Sequence, residues 1–381
     1  MTFRTPDPLY PTLIHWVQVL IAFAITAFIT LCLSIYCLLV GHTNERRQTF
    51  NPVDRYVRKR ISEPLRHFMH RKGFSPDLQS LVAYDLVNTF SDLQLVTGLA
   101  VLVAGFSELA TGTISIYHSL IITDLAWFCT NSHLLSLAVT RSMRDSVKKT
   151  HPHRYSREHT ETAARLVRAL RITLMAATFA FLQIAFFGTG YKDMYNIEPN
   201  CPMKCTLSEP KGGRALRLMV TNMVLMAYFY AVQIFLTWRS GRIFWMDHIR
   251  GSLIDKQGQT VNILNPEVVF KQWTENRVLK TLKSTVLVVW YCLASEAGVL
   301  FGLTIYFVFG VYSLIDDRVR GHKKMDQKVH NEEDEVVYSQ LVPIFVMIIP
   351  FMGIFESYAR HSKAVREYEA NELESRTSEG S

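Results

Sequence analysis

Apolar and polar positions along this chain are segregated into blocks rather than mixed residue by residue. A helix needs roughly 20 apolar residues to cross a hydrocarbon core. Seven runs meet that length: Leu13–Val40, Leu86–Ser107, Ile114–Val139, Ile172–Tyr191, Leu218–Thr237, Thr285–Leu314 and Val337–Ala359. The first carries no Asp, Glu, Lys or Arg in 28 residues and lacks the basic leader and small-residue cleavage site of a signal peptide, so it reads as a retained span. The pattern predicts an all-α, polytopic membrane domain of seven helices over residues 13–359. A basic loop at 41–85 and a polar tail at 360–381, rich in Glu and Ser in the manner of disordered segments, complete the chain.

The charges between the runs predict an orientation. Of the 41 Lys and Arg, 29 fall in alternate connections, namely 41–85, the loops after the third and fifth runs, and the tail. Those connections are expected in the cytoplasm, which puts the N-terminus outside or in a lumen and the C-terminus in the cytoplasm. Within 41–85, Val53, Tyr56, Val57, Ile61, Leu65, Phe68 and Met69 recur at helical spacing among Arg55, Arg58, Lys59, Arg60 and Arg66, as in a basic helix lying on a membrane. A second cluster, Phe244, Trp245, Ile249 and Leu253, reads the same way.

Composition agrees: 49% of residues are hydrophobic, 19% charged, and mean hydropathy is +0.11, which excludes disordered and disulfide-framework chains. The pI of about 9.1 fits loops that face anionic lipid, and no nucleic-acid partner is inferred. Cys32, Cys37, Cys129 and Cys292 lie inside the runs as small hydrophobes, whereas Cys201 and Cys205 share a non-cytoplasmic loop at a spacing open to a disulfide. Phosphate-binding, dinucleotide-binding and hydrolase motifs are absent, as are paired Asp-rich stretches for magnesium and a diphosphate, so no metal or cofactor is inferred. The layout resembles G-protein-coupled receptors in topology alone. The third run ends in Val139-Thr140-Arg141-Ser142 and the last lacks Asn-Pro-x-x-Tyr.

Candidate chemistry comes from charges inside the runs, where an ionisable group costs ~2.5–3.5 kcal/mol on insertion scales and marks function by default. Asp124 and Glu296 enter from opposite sides and are expected near the midplane, sharing one cavity. Two carboxyls there cannot both ionise cheaply, and a carboxyl that keeps its proton suits general-acid chemistry on an apolar substrate. Tyr117, Trp127 and Asn131 share a stripe with Asp124, and Trp290 and Tyr291 precede Glu296; aromatic faces of this kind stabilise cations. Asp92 and Glu108 lie nearer span ends and serve either as caps and anchors or as reserve acids. No inverted repeat or broken helix of the transporter kind is evident, and Pro343 and Pro350 are the only kink candidates.

The runs Tyr84-Asp85-Leu86-Val87-Asn88 and Ser91-Asp92-Leu93-Gln94-Leu95-Val96-Thr97-Gly98-Leu99-Ala100, with Tyr117-His118, Asp124-Leu125-Ala126-Trp127 and His133-Leu134, resemble a group of fungal seven-span membrane proteins. That group looks related to the membrane-bound terpene cyclases of fungal meroterpenoid pathways, of the ascofuranone and macrophorin type. The similarity is clearest over residues 84–140. It implies an enzyme of secondary metabolism that protonates a terminal alkene or epoxide on a farnesylated, membrane-dissolved ring compound and closes rings; the expected location is the endoplasmic reticulum membrane. It also implies neighbouring pathway enzymes in the same membrane. The resemblance carries no catalytic motif across. The burial argument therefore assigns the donor to Asp124 or Glu296, with the other tuning it, and the cation-shielding wall to Tyr117, Trp127, Trp290 and Tyr291. The opposing reading is an orphan seven-span receptor, or a transporter using the same carboxyls.

Overall fold

The computed structural model describes residues 16–41, 51–112, 114–150, 158–191, 203–204, 206, 210–237, 239–244, 277–324, 350, 352–359 and 361–362. Ten α-helices carry most of them: α1 (Trp16–Val40), α2 (Pro52–Val57), α3 (Glu63–Arg71), α4 (Pro76–Thr111), α5 (Ile116–Thr150), α6 (Glu158–Thr189), α7 (Gly213–Thr237), α8 (Arg239–Phe244), α9 (Arg277–Ala294) and α10 (Glu296–Lys324). A π-helical turn, Arg58–Ser62, joins α2 to α3. Among the described residues there is no strand; Tyr191 and Lys211 form an isolated bridge. Five helical segments are long and apolar enough to cross a membrane: Leu20–Val40, Pro76–Thr111, Ala169–Thr189, Gly213–Leu236 and Glu296–Val319.

The side chains are partitioned in the sense that lipid requires. On α1, Thr26, Thr30 and Ser34 are buried at a four-residue spacing, each hydroxyl returning to the carbonyl one turn back at 2.7–2.8 Å. The same helix exposes Ile21, Ile25 and Phe28. On α10, Phe301, Ile305, Val308 and Tyr312 face outward while Leu303, Tyr306 and Phe307 are buried. Small polar groups turned in and large apolar groups turned out fit a bilayer, where helix contact gains little from hydrophobicity and much from close packing.

The helix at the centre is the least apolar of the long ones. α5 packs against α1, α4, α6, α7 and α10. It buries Cys129, Thr130, Asn131, Ser132 and His133 almost completely, on every side of one turn and a half. Protein rather than lipid surrounds those groups, and this is what allows α5 to be the least apolar of the long helices. Contact between α4 and α5 is close because Gly98 has no side chain: a methyl there would sit 2.6 Å from Cβ and Sγ of Cys129.

Three helix ends show how local sequence sets the bundle. α4 starts at the N-cap Ser75, followed by Pro76 and Asp77, and ends at Gly112, whose φ of 77° lets its N–H return to the Glu108 carbonyl. It therefore runs about ten residues beyond the predicted start at Leu86. The extra turns bury Leu78, Leu81 and Val82 in a cluster with Cys37, Val139 and Met143. The predicted run Thr285–Leu314 is not one helix. The chain breaks at Ser295, which caps a new helix by accepting the Gly298 N–H at 2.7 Å and donating to the Cys292 carbonyl at 2.8 Å. The span starts at Glu296, so the predicted absence of a broken helix is corrected. Of Val337–Ala359 the described part is 350 and 352–359. Ser357 there and His361 beyond it both bind Asp85 Oδ2 of α4, at 2.8 and 2.9 Å. Cys201, Cys205 and most of the second predicted surface cluster lie outside the described residues.

The Gly98 contact makes a direct test of this packing. Gly98→Val is expected to lower the thermal midpoint of the detergent-solubilised chain, by the about 1–3 kcal/mol that overpacking costs. Gly302→Ala, whose new methyl meets the Phe229 ring at an ordinary 3.6 Å, leaves the midpoint in place. Equal midpoints for the two variants would show the α4–α5 contact to be slack.

Candidate functional site

α5 and α10 pass each other in opposite directions, and the seam between them gathers most of the candidate chemistry. From α10 the positions Tyr306, Gly310, Ser313 and Asp317, spaced three or four residues apart, form one face. From α5 come Tyr117, Asp124 and Trp127, spaced seven and three apart. Trp127 stacks on Tyr306 with ring centroids 3.8 Å apart and planes 16° from parallel, and its Nε1 donates to the Tyr306 carbonyl at 3.2 Å. Gly310 makes this possible, since a Cβ there would lie 2.7 Å from the indole Nε1. Phe186 of α6 meets the same indole edge-on at 5.5 Å.

Asp124 is buried one turn from that stack. Its carboxyl lies beside the Ser313 side chain and within electrostatic reach of Asp317. Its other oxygen, Oδ2, has no hydrogen-bond partner among the described residues. Beyond it, Arg318 Nη1 donates to the Tyr117 hydroxyl at 3.4 Å. Asn131, two turns further along α5, is fully buried with both amide atoms lacking partners among the described residues. Ser132 Oγ and His133 Nε2 are in the same condition. Each such atom costs about 1–3 kcal/mol unless water or a ligand meets it. This part of α5 therefore carries a buried carboxyl and a buried amide with unmet hydrogen-bonding capacity, the carboxyl one turn from a stacked aromatic pair.

The structure does not bring Asp124 and Glu296 together. Glu296 is the first residue of α10, and its backbone N–H donates to Asp54 Oδ2 at 3.3 Å, at the other end of the bundle. From Glu296 to Ser313 the helix rises about 26 Å at 1.5 Å per residue. The expected shared cavity is thereby corrected: the carboxyl beside Asp124 is Asp317. Trp290 and Tyr291 belong to α9, and the Tyr291 carbonyl accepts from Asn51 Nδ2 at 2.8 Å, so they lie at the Glu296 end rather than around Asp124. Glu108 is exposed in the last turn of α4, where its carbonyl accepts from the Thr111 hydroxyl at 2.9 Å.

Asp92 is half-exposed and paired with Arg171 of α6 through Oδ2 and Nη2. Beside it, Ser91 Oγ and His133 Nδ1 share a hydrogen bond of 2.8 Å, so this second polar layer ties α4 to both α5 and α6. Among the described residues no three His, Cys, Asp or Glu side chains lie close enough to hold a metal ion.

Tyr306 and Ser313 escaped the sequence reading, in which Asp317 and Arg318 have no role because the arginines after Asp316-Asp317 would repel a cation. The Asp316-Asp317 pair stands at the polar end of a run and looks like a loop boundary when the span is placed at 285–314. Once the helix starts at the Ser295 cap, the same pair falls on its last turns, inside the bundle. A comparison with protein families, curated proteins and solved structures finds no match for this chain.

The Asp92–Arg171 pair is open to a double-mutant cycle. Asp92→Ala and Arg171→Ala are each expected to lower the thermal midpoint in detergent. The double variant should lose less than the sum by roughly 0.5–3 kcal/mol, as for charged partners in contact. Strict additivity would show that the pair does not tie α4 to α6.

Proposed function

We propose that the chain is a membrane-embedded cyclase that closes rings on a prenylated, bilayer-dissolved substrate by proton transfer from Asp124. One observation carries this reading: a buried carboxyl with an oxygen lacking a partner, set one turn from a stacked Trp127–Tyr306 wall. In the forward step the carboxyl O–H proton passes to the terminal alkene or epoxide oxygen of the substrate. The internal double bonds then close on the cationic carbon, and loss of a ring C–H proton to the carboxylate restores the starting acid, so substrate and product are isomers. Trp127 and Tyr306 present π faces that stabilise the travelling cation by ~0.5–2 kcal/mol each. Ser313 orients the acid, and Asp317 is the carboxyl that adjusts its proton affinity.

A shallow apolar groove between α4, α5 and α6 supports a docking place for the prenyl chain. It is lined by Leu102, Gly105, Phe106, Ile122, Ile184 and Met203 and lies at the level of Ser119 and Thr123 on α5. In this reading the chain crosses its membrane seven times. The helices α1, α4, α5, α6, α7 and α10 are six of the spans, and Val337–Ala359 is the seventh. The Lys and Arg distribution supports an N-terminus outside or lumenal and a cytoplasmic C-terminus.

The break at Ser295 favours a second reading. Discontinuous helices whose free N-terminus faces an anion are a transporter device. Here the N-terminus of α10 is met by Asp54, a carboxylate of the chain itself.

Membranes of a yeast host carrying the chain, incubated with a farnesylated phenol and with its terminal epoxide, should yield a product of unchanged mass. Asp124→Asn is expected to cost about 10²–10⁴ in turnover, the range for a lost general acid, while Glu296→Gln keeps it. Full turnover by Asp124→Asn would end the assignment. Carrier-mediated uptake of the phenol into proteoliposomes without isomerisation would select the transporter.

A further inference from the structure

The segment from Asn51 to Phe74 is one bent helical rod lying across the ends of α1, α9 and α10, and its two faces have different jobs. The inner face is bonded to the bundle. Asn51 is fully buried and donates to the Tyr291 carbonyl. Asp54 accepts the Glu296 and Ala297 N–H groups at 3.3 and 3.1 Å, completing the cap of α10. Further along, Arg66 donates to the Val40 carbonyl that ends α1 and to Asp77 Oδ1 at 2.9 Å, and Met69 is buried.

The outer face combines two kinds of group. Tyr56, Ile61, Phe68 and Phe74 are exposed, and between them stand Arg55, Lys59, Arg60, Arg71 and Lys72, exposed as well. Residues 52–74 hold seven Lys and Arg against two carboxylates, of which Asp54 is turned inward and Glu63 is paired with Arg58 at 3.6 Å. Water alone disfavours the four large apolar side chains, and hydrocarbon alone disfavours the five cations. The headgroup layer of an anionic membrane accepts both.

We infer that this face docks on the anionic phospholipid headgroups of the membrane that holds the chain, and that docking clamps the α9–α10 break through Asn51 and Asp54. The rod is the common support of the two sides of the break: Asn51 holds the last turn of α9 and Asp54 the first turn of α10. A rod seated on the lipid surface thus fixes the helix that carries Ser313 and Asp317. The inference rests on the rod's geometry and charge and is independent of the chemistry proposed at Asp124.

The test uses the full chain in nanodiscs of phosphatidylcholine alone and of phosphatidylcholine with phosphatidylserine. The expected result is slower amide hydrogen exchange at Glu296–Gly298 in the serine-containing discs. A Lys59→Gln/Arg60→Gln/Arg71→Gln/Lys72→Gln variant, altered only at exposed positions, should lose that dependence. In native mass spectrometry it should also retain phosphatidylserine at least about fivefold less well, the factor that one surface cation is worth. Asp54→Asn should speed exchange at the same amides in both kinds of disc without changing lipid retention. Unchanged retention by the four-site variant would overturn the lipid surface, and exchange at Glu296–Gly298 that is blind to lipid and to Asp54→Asn would overturn the clamp.

Discussion

Everything in this bundle depends on keeping the polar flank of α5 away from lipid. A helix that buries Thr130, Asn131, Ser132 and His133 within one turn has no apolar face to offer a bilayer. It is stable only when helices surround it, and α1, α4, α6, α7 and α10 do so. The enclosing helices share the burden locally. Tyr230 of α7 donates to Thr130 at 3.3 Å, Ser91 of α4 meets His133, and Asn88 of α4 accepts from Thr140 at 3.0 Å. Gly98 lets α4 approach Cys129 of α5 closely, beside the Ser91 and Asn88 contacts, and Gly310 of α10 leaves room for the Trp127 indole.

The break at Ser295 is the second organising feature, and it reassigns the site. If α10 began ten residues earlier, Glu296 would lie deep in the membrane and Asp317 beyond it. Starting at the Ser295 cap instead, the helix spends its acidic first turn at the surface, where Glu296 suits the positive end of the helix dipole. Its last turns then carry the half-buried Ser313 and Asp317 to Asp124. One cap therefore decides which carboxyl is the partner of Asp124.

The helical, membrane-embedded character of the chain was legible from the blocks of apolar residues, because lipid imposes length and composition directly on each span. So was the stripe Tyr117–Asp124–Trp127, since seven-residue and three-residue spacings put side chains on one face of any straight helix. Helix ends were less legible. The start of α4 at Pro76 depends on burying Leu78, Leu81 and Val82 against α1 and α5, a tertiary contact that no local window holds. The start of α10 did leave a local signal, Ser295 followed by Glu296, which reads as an N-cap with an acid in the first turn. Hydropathy masks it, because Val286–Leu293 and Val299–Phe309 are both apolar and merge across it. The partnership of Glu296 with Asp124 failed for that reason alone: depth was counted from the wrong end of the helix.

The carboxylates as a group argue for treating Asp124 apart from the rest. Asp54 caps α10, Asp77 holds Arg66, Asp85 gathers Ser357 and His361, and Asp92 pairs with Arg171. Each joins two separate helical elements, and each is met by donors suited to a carboxylate, a role that structure alone explains. Asp124 has a different setting: one hydroxyl, a second carboxyl in reach, and an oxygen that no donor among the described residues meets. A carboxylate used only as an interhelical tie gains nothing from a like-charged neighbour and an unmet oxygen, since both raise the cost of burying it. A carboxyl that must give up and recover a proton needs both an oxygen not already committed to a donor and a surrounding that does not hold its ionised form too firmly. By that contrast, the seam between α5 and α10 is where a substrate-directed role for this chain is best sought.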